Sequence, residues 1–307
     1  MDKLLEVLSK KNFPLEVKRV ILALFDSAVN FWGSDKIDLI IKTIEEFEIY
    51  CIDDLDSCLK SNEIKNKTPG LCVNYPIISN GKIESIKKVI FLEKQEHEEE
   101  TAFLIAHELF FHGVKSMIQP KLKNNILMVG LEEQKYSILD NDTIELEKIN
   151  TGVGLEELST FYGQYRLMLD TYGKVIDVDP ALLNISISLG KIFENTEFGR
   201  LLLNAQVSKN AYLLGRYFDN VMSKSNEIDS KNNILSWNAY CSLMDKFITS
   251  YYALCSVDED SSDYNFLSTI YIDLYNQLLN INSQIFVAST MLDLEQYAKK
   301  KVLLYSS

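Results

Sequence analysis

The sequence lacks any long hydrophobic run. Its longest uninterrupted apolar stretch is Val20 to Phe25, far short of the ~18 or more residues that a membrane-spanning helix needs. The first residues, MDKLLEVLSKKNF, carry charges throughout and do not contain the apolar core of a signal peptide. We therefore expect a soluble, cytoplasmic protein without a membrane partner. A chain exported by a signal-independent secretion system would have the same features.

Basic residues are also in short supply. Lysine and arginine number 31 against 44 aspartates and glutamates, which gives a formal net charge of −13. The basic clusters are short, such as Lys121 to Lys123 and Lys299 to Lys301. Because the phosphate backbone of a nucleic acid is itself negatively charged, this composition argues against nucleic acid and anionic membranes as partners.

Cysteine is scarce and unpaired in sequence. The chain has five cysteines, an odd number, and no CxxC pair. This usage is typical of reduced thiols that pack as small hydrophobic side chains. It favours a reducing compartment and argues against a disulfide framework.

Helical periodicity dominates what is present. Apolar residues recur at helical spacing through residues 1–60, with a break at Gly33-Ser34. Further helices are predicted from Glu96 to about Met117, opened by acidic residues that suit the helix dipole, and from about Leu155 to Tyr172. After Pro180 the pattern predicts helices over 181–195, 196–224, 233–256, 262–283 and 285–303.

Strand patterns occur mainly in the first half of the chain. Leu71 to Ser79 and Ile83 to Leu92 flank Asn80-Gly81, a dipeptide typical of hairpin turns. Residues 125–149 predict a second strand pair, with Asp140 to Asp142 as its turn. The sequence therefore predicts an α+β, predominantly helical fold. We expect a small antiparallel sheet beside one helix, followed by a helical C-terminal half.

Two of the only three histidines lie in one apolar helical stretch, TAFLIAHELFFHGV. His107 and His112 flank Glu108, and imidazole is a common zinc ligand. The familiar HExxH motif places its histidines at i and i+4, whereas HELFFH places them at i and i+5. In a regular α-helix such a pair would lie about 140° apart. A shared metal ion therefore requires a π-type widened turn between them. The alternative is a hydrogen-bonded pair of core histidines. His97 is interpreted as a surface residue.

A third protein ligand is needed if one coordination position is to stay open for water. The stretch TGVGLEELSTFYGQYRL follows downstream, with two adjacent glutamates at a predicted helix start. Adjacent helical residues diverge by about 100°, so only one of Glu156 and Glu157 can face a metal. The alternative is that both are solvated residues of a first helical turn.

The two motifs together resemble those of the dipeptidyl peptidase III metallopeptidases. HELFFHG is similar to that family's HELLGHG, and LEELSTF resembles its EECRAE. The resemblance implies that His107, His112 and Glu157 bind zinc, that Glu108 is the base that activates water, and that Glu156 supports the ligands. It covers only the two motifs. Two of the differences matter most: Phe111 replaces the family's glycine, and Phe161 replaces its final acidic residue.

These observations predict a zinc-dependent metallopeptidase of the zincin type that acts on a peptide or protein substrate. Tyr162, Tyr165 and Arg166 are candidates for stabilising the oxyanion, and so are Tyr212, Arg216 and Tyr217 on a later helix. The predicted organisation is an N-terminal helical segment (1–60), a zincin-like metal-binding α+β domain (61–175) and a helical C-terminal subdomain (176–307).

Two other functions are compatible with the same sequence. One is a zincin-like protein that has lost catalysis and acts as a binding module, which the lengthened motif and Phe111 favour if the widened turn is absent. The other is a scaffold whose helical C-terminal half binds partner helices. A metal assay on the purified protein, with His112→Ala and Glu108→Gln as controls, separates the enzyme from the inactive module. Absence of zinc favours the binding module, and bound metal that is lost with His112→Ala favours the enzyme.

Overall fold

The computed structural model describes residues 1–55, 69–79, 82–117, 122–123, 126–129, 132–139, 144–150, 153–176, 178–194, 237–255 and 257–287.

The first three helices come from the N-terminal segment. Helices α1 (Asp2–Lys10), α2 (Leu15–Trp32) and α3 (Ile37–Glu46) confirm the helical periodicity. Gly33 ends α2 with a φ of 100°, a value that glycine adopts readily because it has no Cβ. The predicted break at Gly33-Ser34 is thus confirmed.

A three-stranded sheet follows, with the order β1-β3-β2. Its strands are β1 (Glu48–Ile52), β2 (Gly70–Ser79) and β3 (Lys82–Glu93). β2 and β3 pair antiparallel, as the hairpin pattern predicts, while the Asn80-Gly81 turn lies outside the described residues. β1 pairs parallel with β3, from Glu48 opposite Val89 to Ile52 opposite Glu93. The sheet is therefore mixed.

The expectation of a purely antiparallel sheet was wrong, and so was the assignment of all of residues 1–60 to helices. The helical spacing of α3 runs up to Phe47, where the backbone becomes extended and the short strand EIYCI begins. A strand of five residues is too short to show its own periodicity against a preceding helix. Its partner lies about forty residues away on the far side of a hairpin, and sequence patterns do not reveal such long-range parallel pairing.

The helix predicted from Glu96 to Met117 is present, but it is not uniform. It begins as α4 (Glu98–Ile105), continues as a π-helix (Ala106–Gly113, here the π segment) and ends as α5 (Val114–Ser116). His97 is exposed and caps α4, since its backbone N–H donates to Oε2 of Glu100 at 3.2 Å. Its interpretation as a surface residue is confirmed.

A second sheet has the order β4-β5-β6-β7. Its strands are β4 (Leu122–Lys123), β5 (Ile126–Val129), β6 (Glu132–Ile138) and β7 (Ile144–Asn150). The last two confirm the predicted strand pair, while the predicted turn at 140–142 lies outside the described residues. Helix α6 (Val153–Tyr172) comes next and confirms the helix expected to end at Tyr172.

The remaining described elements are helices α7 (Pro180–Glu194), α8 (Trp237–Cys255) and α9 (Ser262–Val287). Asp179 caps α7, because its Oδ1 accepts hydrogen bonds from the backbone of Ala181 and Leu182 and from the hydroxyl of Tyr271. The helix predicted over 196–224 lies outside the described residues, and so do residues 288–303 of the helix predicted over 285–303. The expected break between residues 283 and 285 is wrong, because α9 continues unbroken to Val287. No helix in the described ranges combines the length and the apolar character needed to cross a membrane.

The chain divides into two units. The first comprises Met1–Gly130, Gln134–Ile149 and Thr160–Val178, and the second comprises Leu131–Glu133, Asn150–Ser159 and Asp179–Ser307. The boundary after Ser159 falls within the unbroken helix α6. Within the first unit, side chains from α2, α3, β3, α4 and the π segment share one apolar core. The π segment is therefore set in the packed interior. The fold is α+β and predominantly helical, as predicted.

Candidate metal centre

The π segment brings the two histidines of HELFFH together. Nε2 of His107 lies 3.2 Å from Nε2 of His112, and the ring centroids are 4.8 Å apart. Two nitrogen ligands of one tetrahedral zinc ion, each at 2.0–2.1 Å, lie about 3.3 Å apart. The widened turn that the i, i+5 spacing requires is present, so the prediction of a π-type turn is confirmed.

Aromatic side chains hold the widened turn in place. The indole Nε1–H of Trp32 donates a 2.9 Å hydrogen bond to the carbonyl oxygen of Phe110, inside the π segment. Phe110 and Phe111 are fully buried. The Phe111 ring packs edge-on against Phe31 at 5.0 Å and tilted against Trp32 at 5.4 Å. Helix α2 thus supplies both a polar anchor and an apolar wall for the π segment.

Glu157 supplies the third ligand-type group. It lies in the first part of α6, and the ligand atoms of His107, His112 and Glu157 all lie within 4.8 Å of one another. Two imidazole nitrogens and one carboxylate form a donor set typical of catalytic zinc sites. In a tetrahedral site all three donors lie about 3.3 Å apart, so the carboxylate would need to approach by no more than roughly 1–2 Å. The residues present fit a zinc ion.

One face of α6 is directed at His107. Residues seven apart on a helix differ by about 20° in direction, so Glu157 and Gln164 share a face. Gln164 is buried, and its Oε1 lies 3.2 Å from Nδ1 of His107. Phe161 lies between them, and its ring centroid is 4.9 Å from that of His107. Phe161, which stands where the resembling motif has an acidic residue, thus packs against the His107 ring. Gln164, in the next turn, makes the polar contact to that ring.

Gln164 is the residue that the sequence analysis missed. Its spacing of seven from Glu157 was the available signal, because it places the two side chains on one helical face. The spacing does not show which helix packs against the face that carries Glu157 and Gln164. The contact between Gln164 and His107 becomes visible only when α6 is seen to lie beside α4.

A buried polar contact joins the end of the π-containing helix to α6. Lys115 and Thr160 are both buried, and Nζ of Lys115 donates to Oγ1 of Thr160 at 3.0 Å. Lys115 follows His112 by three residues, and Thr160 follows Glu157 by three. Because buried polar groups strongly favour paired geometry, this contact constrains how the two helices lie against each other beside the ligand-type side chains.

Glu108, the predicted base, is 5% exposed. Its side chain lies against Gly70, the first residue of β2, and a Cβ built on Gly70 would come within 2.8 Å of Oε1 of Glu108. The absence of a side chain at position 70 therefore makes room for the carboxylate. The strand start and the π segment together define where Glu108 lies.

The other predicted residues have the following positions. Glu156 is buried in α6. Tyr162 is buried, and its hydroxyl oxygen accepts a 3.2 Å hydrogen bond from Nη1 of Arg166. Tyr165 is half-buried. The ring of Tyr162 is tilted against Phe31 at 6.4 Å, which gives this tyrosine a packing role. Tyr212, Arg216 and Tyr217 lie outside the described residues.

No protein-family model, no curated protein and no solved structure matches the chain. The assignment of a function therefore rests on the residues and distances of the candidate metal centre.

Proposed function

We propose that this protein is a zinc-dependent metallopeptidase, with His107, His112 and Glu157 as the zinc ligands and Glu108 as the general base. The proposal is carried by one observation: a π turn places two imidazole nitrogens 3.2 Å apart, with a carboxylate oxygen within 4.8 Å of both. A regular helix with the same sequence would separate the imidazoles by about 140°.

Three protein ligands leave a fourth position open, which distinguishes catalytic zinc sites from structural ones. Zinc held there would polarise a substrate carbonyl and lower the pKa of water at the open position. This chemistry suits the hydrolysis of an amide.

Glu108 is the residue proposed to move the proton. It follows His107 directly, and its carboxylate is confined against Gly70. A carboxylate held within hydrogen-bond reach of water can accept its proton and return it to the leaving amine nitrogen. The Glu108 side chain is buried, and the missing side chain at Gly70 leaves the space that its carboxylate occupies.

Cleavage of a mixed peptide library by the zinc-loaded protein tests the proposal. Wild type should cleave peptides, and Glu108→Gln should lower the rate by about a hundredfold or more while binding zinc as wild type does. Glu259→Gln, a change of the same chemistry at an exposed position, is the matched control and should retain full activity.

Two outcomes would contradict the enzyme assignment. Zinc binding without cleavage by wild type would favour the zincin-like binding module. Cleavage that survives Glu108→Gln at the wild-type rate would exclude Glu108 as the base.

A further inference from the structure

We infer that Gln164 is a positioning residue that fixes the tautomer of His107, so that Nε2 of this ring carries the lone pair a metal needs. The inference deepens the proposed metal centre and rests on it for its functional meaning. The hydrogen-bond geometry on which it is built does not require a metal ion.

The orientation of the Gln164 amide follows from its partner in α4. One end of the amide lies 2.7 Å from the backbone carbonyl oxygen of Phe103. A carbonyl oxygen can only accept a hydrogen bond, so the amide atom that faces it must be the Nε2 donor. The opposite end of the amide is then Oε1, and this atom faces His107.

The tautomer of His107 follows from that orientation. Oε1 of Gln164 lies 3.2 Å from Nδ1 of His107, and an amide oxygen can only accept. Nδ1 of His107 therefore carries the hydrogen, and in the neutral ring Nε2 is left with the lone pair. Nε2 is the atom that faces His112.

The same reasoning gives His112 the opposite tautomer in the metal-free protein. The two Nε2 atoms lie 3.2 Å apart, and one of them must donate for a hydrogen bond to form. Because Nε2 of His107 is the acceptor, Nε2 of His112 is the donor. The two rings therefore differ in the nitrogen that carries the hydrogen.

The hydrogen bond from His107 to Gln164 is expected to affect how tightly His107 binds a metal ion. Zinc-bound histidines commonly donate their second N–H to a carboxylate, a backbone carbonyl or water, and the loss of such a partner costs about 10- to 100-fold in metal affinity. Here the partner is a neutral, buried amide that is itself anchored to the backbone of α4. It orients His107 without adding a negative charge.

Long-range ¹H–¹⁵N NMR of the imidazole rings tests this in the full, metal-free chain. The sequence has only three histidines, so His97→Ala and His112→Ala assign the signals. Measured at about pH 8, where most imidazoles are neutral, wild-type His107 should be the Nδ1–H tautomer and His112 the Nε2–H tautomer. In Gln164→Leu, His107 should lose its Nδ1–H preference. Asp170→Asn, an exposed change on the same helix, should leave both rings unchanged.

Zinc affinity, measured by chelator competition, extends the test. Gln164→Leu should weaken binding by about 10- to 100-fold. Gln164→Glu keeps an acceptor toward Nδ1 but loses the donor to the Phe103 carbonyl, so it should recover only part of the loss. An Nε2–H tautomer for His107 in wild type, or unchanged tautomer and affinity in Gln164→Leu, would overturn the inference.

Because the tautomer is read without metal or substrate, the expected result supports the role of Gln164 even if no peptide is cleaved. A contrary result refutes it even in an active peptidase.

Discussion

The ring of Phe111 occupies the space that a side chain at Gly163 would need. A Cβ built on Gly163 would lie 1.9 Å from Cε1 of the Phe111 ring and 2.0 Å from Cζ. Phe111 belongs to the π segment and Gly163 to α6, so a large residue on one helix fits against a bare backbone on the other. The departure of Phe111 from the glycine of the dipeptidyl peptidase III motif is thus accommodated by a glycine on α6.

Gly163→Ala should destabilise the protein. Alanine gains about 0.8–1.0 kcal/mol of helix propensity over glycine, but forcing the Phe111 ring aside in a packed core costs about 1–3 kcal/mol or more. The free energy of unfolding, measured with urea, should therefore fall. The double variant Phe111→Ala/Gly163→Ala should be more stable than the sum of the single changes predicts, because removing the ring removes the clash. Strict additivity would show that the two residues do not interact.

Trp32→Phe tests the polar anchor of the π segment. The change keeps an aromatic ring but removes the N–H that donates to the carbonyl of Phe110. An acceptor left buried without its donor costs about 1–3 kcal/mol, so the free energy of unfolding should fall by that order. Zinc affinity should fall as well, because the widened turn aligns the histidines. A stability loss with unchanged zinc affinity would mean that this bond supports the core without shaping the metal centre.

Gly70→Ala tests the position of the proposed base. The new Cβ would come within 2.8 Å of Oε1 of Glu108, so the carboxylate must shift. A displacement of about 1 Å can lower a rate by about a hundredfold. We expect kcat of the zinc-loaded protein to fall by about 10- to 100-fold at unchanged zinc content. Ser79→Ala, at the far end of the same strand, is the control. Full activity in Gly70→Ala would argue against a base fixed by this contact.

Alkylation of Cys51 should require a higher pH than alkylation of an ordinary thiol. Burial raises the pKa of the Cys51 thiol, and the negative charge of Glu16 adds to the effect. Both disfavour the thiolate, which is the reactive form. The rate of iodoacetamide labelling at Cys51, followed by mass spectrometry, should rise with pH only above the pH at which a short cysteine peptide responds. A rise at the same pH as the peptide would contradict this assignment.

Local patterns predicted the elements that depend on local sequence. Helical spacing identified α2 and α3, and the hairpin pattern identified β2 and β3. The i, i+5 spacing of His107 and His112 predicted the π turn, because two imidazoles at that spacing in a regular α-helix cannot reach one metal ion. In each case the residues that determine the element lie close together in the sequence, within about one or two helical turns or a single hairpin.

Features that depend on long-range packing were not predictable in this way. The parallel pairing of β1 with β3 joins residues such as Ile49 and Ile90, which no local pattern connects. Gln164 and Gly163 gain their roles only from α6 lying beside α4 and the π segment. Neither residue type signals, by itself, a contact to a histidine or to a phenyl ring.

Zinc stoichiometry tests the central claim most directly. The purified chain, loaded with zinc and dialysed, is measured by elemental analysis beside His107→Ala, His112→Ala and Glu157→Gln, with His97→Ala as the histidine control outside the cluster. The account predicts one zinc per wild-type chain, the same content in His97→Ala, and a clear loss in each of the three cluster variants. Wild-type protein without zinc, or His112→Ala with undiminished zinc, would contradict it.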